Sequence, residues 1–246
     1  MNEKMIILAL VPLFVTGSFF AHWITLLKIK TAAERLPYCR GAYLAFSFQL
    51  VLYAWIGFHV TGVSGPAAYL VPLGMTFSFA GDVFNLQFDA IARRIKEPVF
   101  GGIISFALAQ FFYIGAIFSL IEPGLLISDG YLLPVLAALI IVPAVLFRLR
   151  VYNPSRPPEI MRGALIYGFI LGGMSALAIS AALAAGGKWY FVAAGALFFL
   201  LSDAVMGETT IYGRHPVFEY QVPWVTYLAA QGLIIYGTLV LAGGTC

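Results

Sequence analysis

Apolar residues run along this chain in stretches too long for the helices of a soluble domain, and each stretch is bounded by charge, proline or glycine. A bilayer core of about 30 Å needs roughly 20 apolar residues at helical rise. Eight stretches meet that length, at approximately 5 to 27, 40 to 60, 66 to 86, 99 to 121, 131 to 148, 162 to 184, 188 to 208 and 223 to 242. The separators read as loops: "KIKTAAERLPYCR", "FDAIARRIKEP", "RLRVYNPSRPPE" and "TTIYGRHPVFEYQ" carry charge, proline or both, while "TGVSGP", "EPGLLISDG" and "AAGGK" are short. The first stretch has His22 and Trp23 where signal cleavage requires small residues, so it is expected to persist as a span.

Composition agrees with the pattern. Of 246 residues 61% are hydrophobic and 10% charged, against about 25% charged in a soluble domain. The expected fold is an all-α membrane protein of eight transmembrane helices forming one domain, residues 1 to 246. The net charge of +3 does not indicate a nucleic-acid partner, because the basic residues sit in loops where membrane topology accounts for them. Twelve of the 14 Lys and Arg fall in the first, third, fifth and seventh loops, leaving Lys4 and Lys188 on the other side. That asymmetry places both termini away from the cytoplasm, in a bacterial inner membrane or a eukaryotic internal membrane. The two cysteines, Cys39 and Cys246, have neither metal-ligand nor redox spacing, and no metal or cofactor is expected.

Two carboxylates break the apolar runs: Asp82 in "VPLGMTFSFAGDVFNLQF" and Asp203 in "VAAGALFFLLSDAVMG". An intramembrane carboxylate is costly and points to function; the plainer alternative is a structural hydrogen bond between helices. Both aspartates lie within one or two turns of the cytoplasmic end of their spans, on the order of 6 to 9 Å deep at helical rise. A shift of 121 residues superposes Val71 on Val192, Gly74 on Gly195, Phe77 on Phe198, Asp82 on Asp203 and Ala109-Gln110 on Ala230-Gln231. The shift maps four spans onto four, so residues 1 to 121 and 122 to 246 read as two candidate parallel repeats about an axis along the membrane normal. Such an axis would bring the two carboxyls together, where like charges share a proton and supply an acid beside a base.

The segments "FAGDVF" with "GGIISFALAQFFYIGAIF", and "FFLLSDAVMGE" with "WVTYLAAQGLIIYG", resemble the paired signatures of the YhhN-like lysoplasmalogenase family, over about two-thirds of the chain from the third span onward. The resemblance implies hydrolysis of the vinyl ether bond of lysoplasmalogens to a fatty aldehyde and glycerophosphoethanolamine or glycerophosphocholine. It implies catalysis by Asp82 and Asp203, with Tyr227 and Gln231 of the last span at the site. One departure stands out: where the family pattern leads one to expect His in an H-x-x-Y turn, this chain has Gln110 followed by Tyr113. Glutamine hydrogen-bonds but does not exchange protons near neutral pH.

Other positions are weaker candidates. His22 lies at about the depth of the aspartates, though a lone histidine on an apolar helix is usually a packing residue. Asn85, one turn from Asp82, could orient it or cap the helix. Tyr113 and Tyr227 serve equally as packing aromatics or substrate ligands. His59 and His215 form no zinc-ligand pattern, and Arg93, Arg94, Lys96, Arg156 and Arg214 could meet a lipid phosphate. The absence of G-x-S-x-G argues against a serine lipase. The expected partners are a lysophospholipid substrate and the bilayer, with the oligomeric state open. A proton-coupled small-solute transporter and a non-catalytic lipid-binding protein are the alternatives, since buried aspartates and repeats also occur in transporters.

Overall fold

The computed structural model describes residues 3–29, 32–87, 89–122, 124–125, 130–215 and 221–243; Cys246 and Lys30 lie outside them, and the side chain of Cys39 is not described. Eight long helices carry the described chain: α1 (Glu3–Ile29), α2 (Ala32–Thr61), α3 (Ala67–Asn85), α4 (Pro98–Leu120), α5 (Leu132–Leu146), α6 (Pro158–Ala185), α7 (Trp189–Gly207) and α8 (Gln221–Gly243). Seven are long and apolar enough to cross a membrane, counting the continuations of α5 and α7; α1 contributes the shorter apolar segment Leu10–Ile24 among its described side chains. No strand occurs among the described residues. The protein is therefore a multi-pass helical membrane protein, as expected of chains whose backbone must satisfy its own hydrogen bonds in lipid.

Local chemistry explains the ends. Proline occupies the first helical position of α4 and α6, where its fixed φ suits the helix and its missing N–H costs nothing. Gly186, at φ 63°, ends α6 and starts the tight turn into α7. Three boundaries differ from the sequence reading. Helix α2 begins at Ala32 rather than near residue 40, because "AAER" favours helix and carries it beyond the apolar run. The predicted third loop contains a one-turn helix, Asp89–Ala92. Helices α5 and α7 continue into π-helical turns, Phe147–Val151 and Glu208–Tyr212, which no hydrophobic period announces.

Those two turns pack on each other, and polar side chains collect the carbonyls that widened turns expose. Asn153 Nδ2 donates to the carbonyls of Ile211 at 3.2 Å and Tyr212 at 3.1 Å. Arg156 donates to Ile211 at 3.2 Å and Thr210 at 2.8 Å. Glu208 pairs with Arg150 at 2.9 Å and Arg214 at 2.7 Å.

Helix packing forms a ring: α2 on α3, α3 on α4, α4 on α6, α6 on α7, α7 on α8, and α8 back on α2. Helix α1 sits against α2 and α8, α5 against α6, and the π turn of α5 against α7 and its π turn. The most intimate pairs are α3 with α4 and α7 with α8. Glycines allow this closeness. A Cβ on Gly74 would strike the Tyr113 ring at 2.5 Å, and one on Gly195 would lie 2.8 Å from both the Ala230 carbonyl oxygen and Ile234.

Candidate active site

Asp82 ends α3 one turn before the helix stops, and it is buried, with 4% of its surface exposed. Its Oδ2 accepts two hydroxyl hydrogen bonds, from Ser47 of α2 at 2.5 Å and from Tyr227 of α8 at 2.7 Å. Asp203 holds the matching place near the end of α7, and its Oδ2 accepts from the Tyr167 hydroxyl of α6. Each aspartate is thus held through Oδ2 by a hydroxyl from the helix that precedes its own in the ring.

An aromatic partition lies between them. Phe106 of α4 stands 6.5 Å from Tyr167, 6.0 Å from Tyr227 and 6.2 Å from Phe199, ring centre to ring centre, and Phe199 is 5.7 Å from Tyr227. Gly81, immediately before Asp82, admits the Phe106 ring; a Cβ there would meet it at 2.6 Å. The two sides of this partition are not alike. On the Asp203 side a cleft of about 130 Å³, partly open to the outside, runs among α4, α5, α6 and α7. Its walls are largely apolar, with Ile103, Phe106, Leu146, Phe147 and Leu200 prominent, and Asp203, Tyr167 and Asn85 are among the few polar side chains it meets. Asn85 reaches it by lying against Gly102, which has no side chain to obstruct it. Asp82, Gln110, Tyr113, Tyr227, Gln231 and His22 do not line this cleft.

The remaining candidates divide accordingly. Tyr113, fully buried, donates to Gln231 Oε1 at 2.6 Å. Gln110, also fully buried, sits beside the Tyr167 hydroxyl without hydrogen-bond geometry, and neither of its amide atoms finds a partner among the described residues. His22 packs edgewise on Phe46 at 6.3 Å and hydrogen-bonds to neither aspartate. His59 is exposed at the far end of α2. Arg156 and Arg214 are held by the π turns, whereas Arg93, Arg94 and Lys96 are exposed. No cluster of three His, Cys, Asp or Glu converges among the described residues.

Sequence reasoning missed Ser47, Tyr167 and the Phe106 partition. No signal in the sequence singles out the first two: Ser47 precedes Asp82 by 35 residues and Tyr167 precedes Asp203 by 36, so the 121-residue shift that pairs the aspartates and the glutamines misses this pair by one position.

Fold and site together define a multi-pass helical membrane protein with two hydroxyl-clamped carboxyls, Asp82 buried and Asp203 half-buried, the latter facing an apolar cleft. The model of the YhhN family matches residues 41–238, and the chain belongs to that family. The match reaches back into α2 and so includes Ser47, beyond the third-span limit of the resemblance seen in the sequence. No curated protein and no solved structure matches the chain.

Proposed function

We propose that the protein is an intramembrane lysoplasmalogenase, a hydrolase of the vinyl ether bond of lysoplasmalogens that releases a fatty aldehyde and a glycerophospho-ethanolamine or -choline. The observation that carries this reading is the Asp203–Tyr167 pair at the wall of an otherwise apolar cleft among membrane-spanning helices. An alkenyl chain suits the apolar walls, and its ether terminus meets Asp203, the one carboxyl that lines the cleft among the described residues. Membership of the YhhN family supports the assignment.

The chemistry follows from the groups present. The Asp203 carboxyl gives a proton to the vinyl carbon remote from oxygen, and the double bond's electrons form the new C–H bond. The adjacent carbon becomes part of an oxocarbenium ion, which the field of the Asp82 carboxylate stabilises across a low-dielectric interior. Water adds to that carbon and loses a proton to the Asp203 carboxylate. The resulting hemiacetal returns a proton to the glycerol oxygen and breaks its C–O bond, yielding aldehyde and alcohol. Two carboxyls divide this work as they do in glycosidases. Ser47 and Tyr227 hold Asp82, and Tyr167 holds Asp203, by hydrogen bonds, while Asn85 at the cleft wall is placed to bond the polar end of the substrate. In this reading all eight helices span the bilayer and both termini face away from the cytoplasm.

Purified protein given lysoplasmalogen should release aldehyde, and the same lipid with a saturated ether should give none. Asp203→Asn and Asp82→Asn should each lower the rate at least about a hundredfold, the range of general acid–base catalysis, with folding intact. Full activity in both variants would overturn the assignment. It would favour proton-coupled transport, the reading to which the interior Gln110 amide, without a partner among the described residues, otherwise lends support.

A further inference from the structure

Two seams flank the ring, and only one is closed. Helix α1 packs on both α2 and α8, and its contact with α8 runs through Gly232, against whose bare backbone Pro12 rests directly. Helix α5 packs on α6, and its π turn on α7 and the π turn there, but α4 is not among the helices it packs against. These seams occupy corresponding places under the 121-residue shift, which carries α1 onto α5, α2 onto α6 and α8 onto α4. Contacts follow the same rule. Gly74 meets Tyr113 while Gly195 meets Ile234, and both members of the second pair lie 121 residues beyond the first. Under the shift Gly232 corresponds to Phe111 and Pro12 to Leu133. Where the closed seam has glycine against proline, the other has a phenylalanine 56% exposed and a leucine 76% exposed.

We propose that the two halves are quasi-equivalent, and that the α4/α5 seam is the groove in which the hydrocarbon chain of a single-chain lipid lies, entering sideways from the bilayer. Three observations choose the occupant. The groove continues into the cleft that ends at Asp203 and Tyr167, since Val99, Ile103 and Phe106 of α4 face Pro143, Leu146 and Phe147 of α5 across it. Helix α5 with its π turn is the most apolar of the candidate spans, with mean hydropathy 2.5, and only 6% of its most hydrophobic window is buried. An apolar gap between two membrane-spanning segments is surrounded by hydrocarbon, so a lipid chain fills it without desolvation cost. The bulky Phe111 in place of glycine explains why α5 does not close on α4 as α1 closes on α8.

The proposal rests on the hydrolase reading for the identity of its substrate, but its test does not. A lysolipid with a photoreactive group in its chain should label α4 and α5 peptides of the intact protein, and excess saturated-ether lysolipid should suppress that labelling. Competed labelling on α1 and α8 instead, or none on α4 and α5, would overturn the groove while leaving vinyl ether hydrolysis untouched. In a second arm, Ile103→Cys and Leu146→Cys are combined with Cys39→Ser and Cys246→Ser, and the pair is bridged by a bifunctional maleimide. The bridged protein is compared with the same protein unbridged. Bridging should slow a long-chain vinyl ether at least about tenfold, the effect of about two buried methylenes losing their groove. A short water-soluble vinyl ether should be slowed much less. Equal slowing of both substrates, or of neither, would overturn the proposal.

Discussion

At the scale of single residues, the clamping hydroxyls make a sharper test of the site than the aspartates do. Asp203 has one donor, Tyr167, whereas Asp82 has two on the same oxygen. A hydrogen bond to a charged group contributes about 1.5 to 3 kcal/mol, so Tyr167→Phe should lower turnover roughly ten- to a hundredfold. Ser47→Ala leaves Tyr227 in place and should cost less. Aldehyde formed per folded protein measures both; a larger effect from Ser47→Ala would make Asp82 the group that meets substrate. Gln110→His should retain turnover or raise it, because imidazole keeps hydrogen bonding and adds proton exchange beside Tyr167. A collapse in turnover would mean that the carboxamide itself contacts the substrate. The aspartates, Gln110 and Gln231 were legible in the sequence because a charge or amide stands out in an apolar run. Ser47, Tyr167 and Phe106 were not, since hydroxyls and aromatics are ordinary in membrane helices and acquire meaning only from the helix across the ring.

Elements were read well where hydrophobicity defines them and poorly where polar side chains do. The apolar runs located the helices, but the π turn at the end of α7 is held by Arg156 and Asn153, which meet its carbonyls from more than 50 residues away in sequence. The predicted loop before α2 proved helical because an apolar-length criterion cannot register a helix that runs on past the bilayer. Glycine is the element-scale determinant of the α7/α8 pair. Gly195→Ala places a methyl 2.8 Å from a backbone carbonyl that cannot turn aside, and overpacking of this kind costs about 1 to 3 kcal/mol. Gly173→Ala on α6 meets nothing within 4 Å and should gain up to about 1 kcal/mol in helix propensity. Thermal unfolding in detergent should separate the two substitutions in opposite directions. Equal stability would mean that α7 and α8 do not approach as closely as the Gly195 contact requires.

For the whole molecule, the open question with most leverage is which way it faces, because that decides the leaflet from which the cleft draws its lipid. The cleft lies at the end of the bundle that carries Arg150, Arg156 and Arg214. Those three arginines have structural work in the π turns, so their position is not a pure topological signal. Setting them aside still leaves nine basic residues on that side against Lys4 and Lys188 on the other, enough to hold the cleft end in the cytoplasm. Helix α1 decides the N-terminus separately. Its 27 residues extend about 40 Å at helical rise, long enough to cross, and its packing on α2 and α8 keeps it alongside two spanning helices. Both termini should therefore lie on the non-cytoplasmic side. Reporters fused in turn at each end check this independently: a C-terminal reporter active only in the cytoplasm would invert the bundle and move the cleft to the outer leaflet. A cytoplasmic N-terminus with an outside C-terminus would instead remove α1 from the spans while leaving the ring and the site as they are.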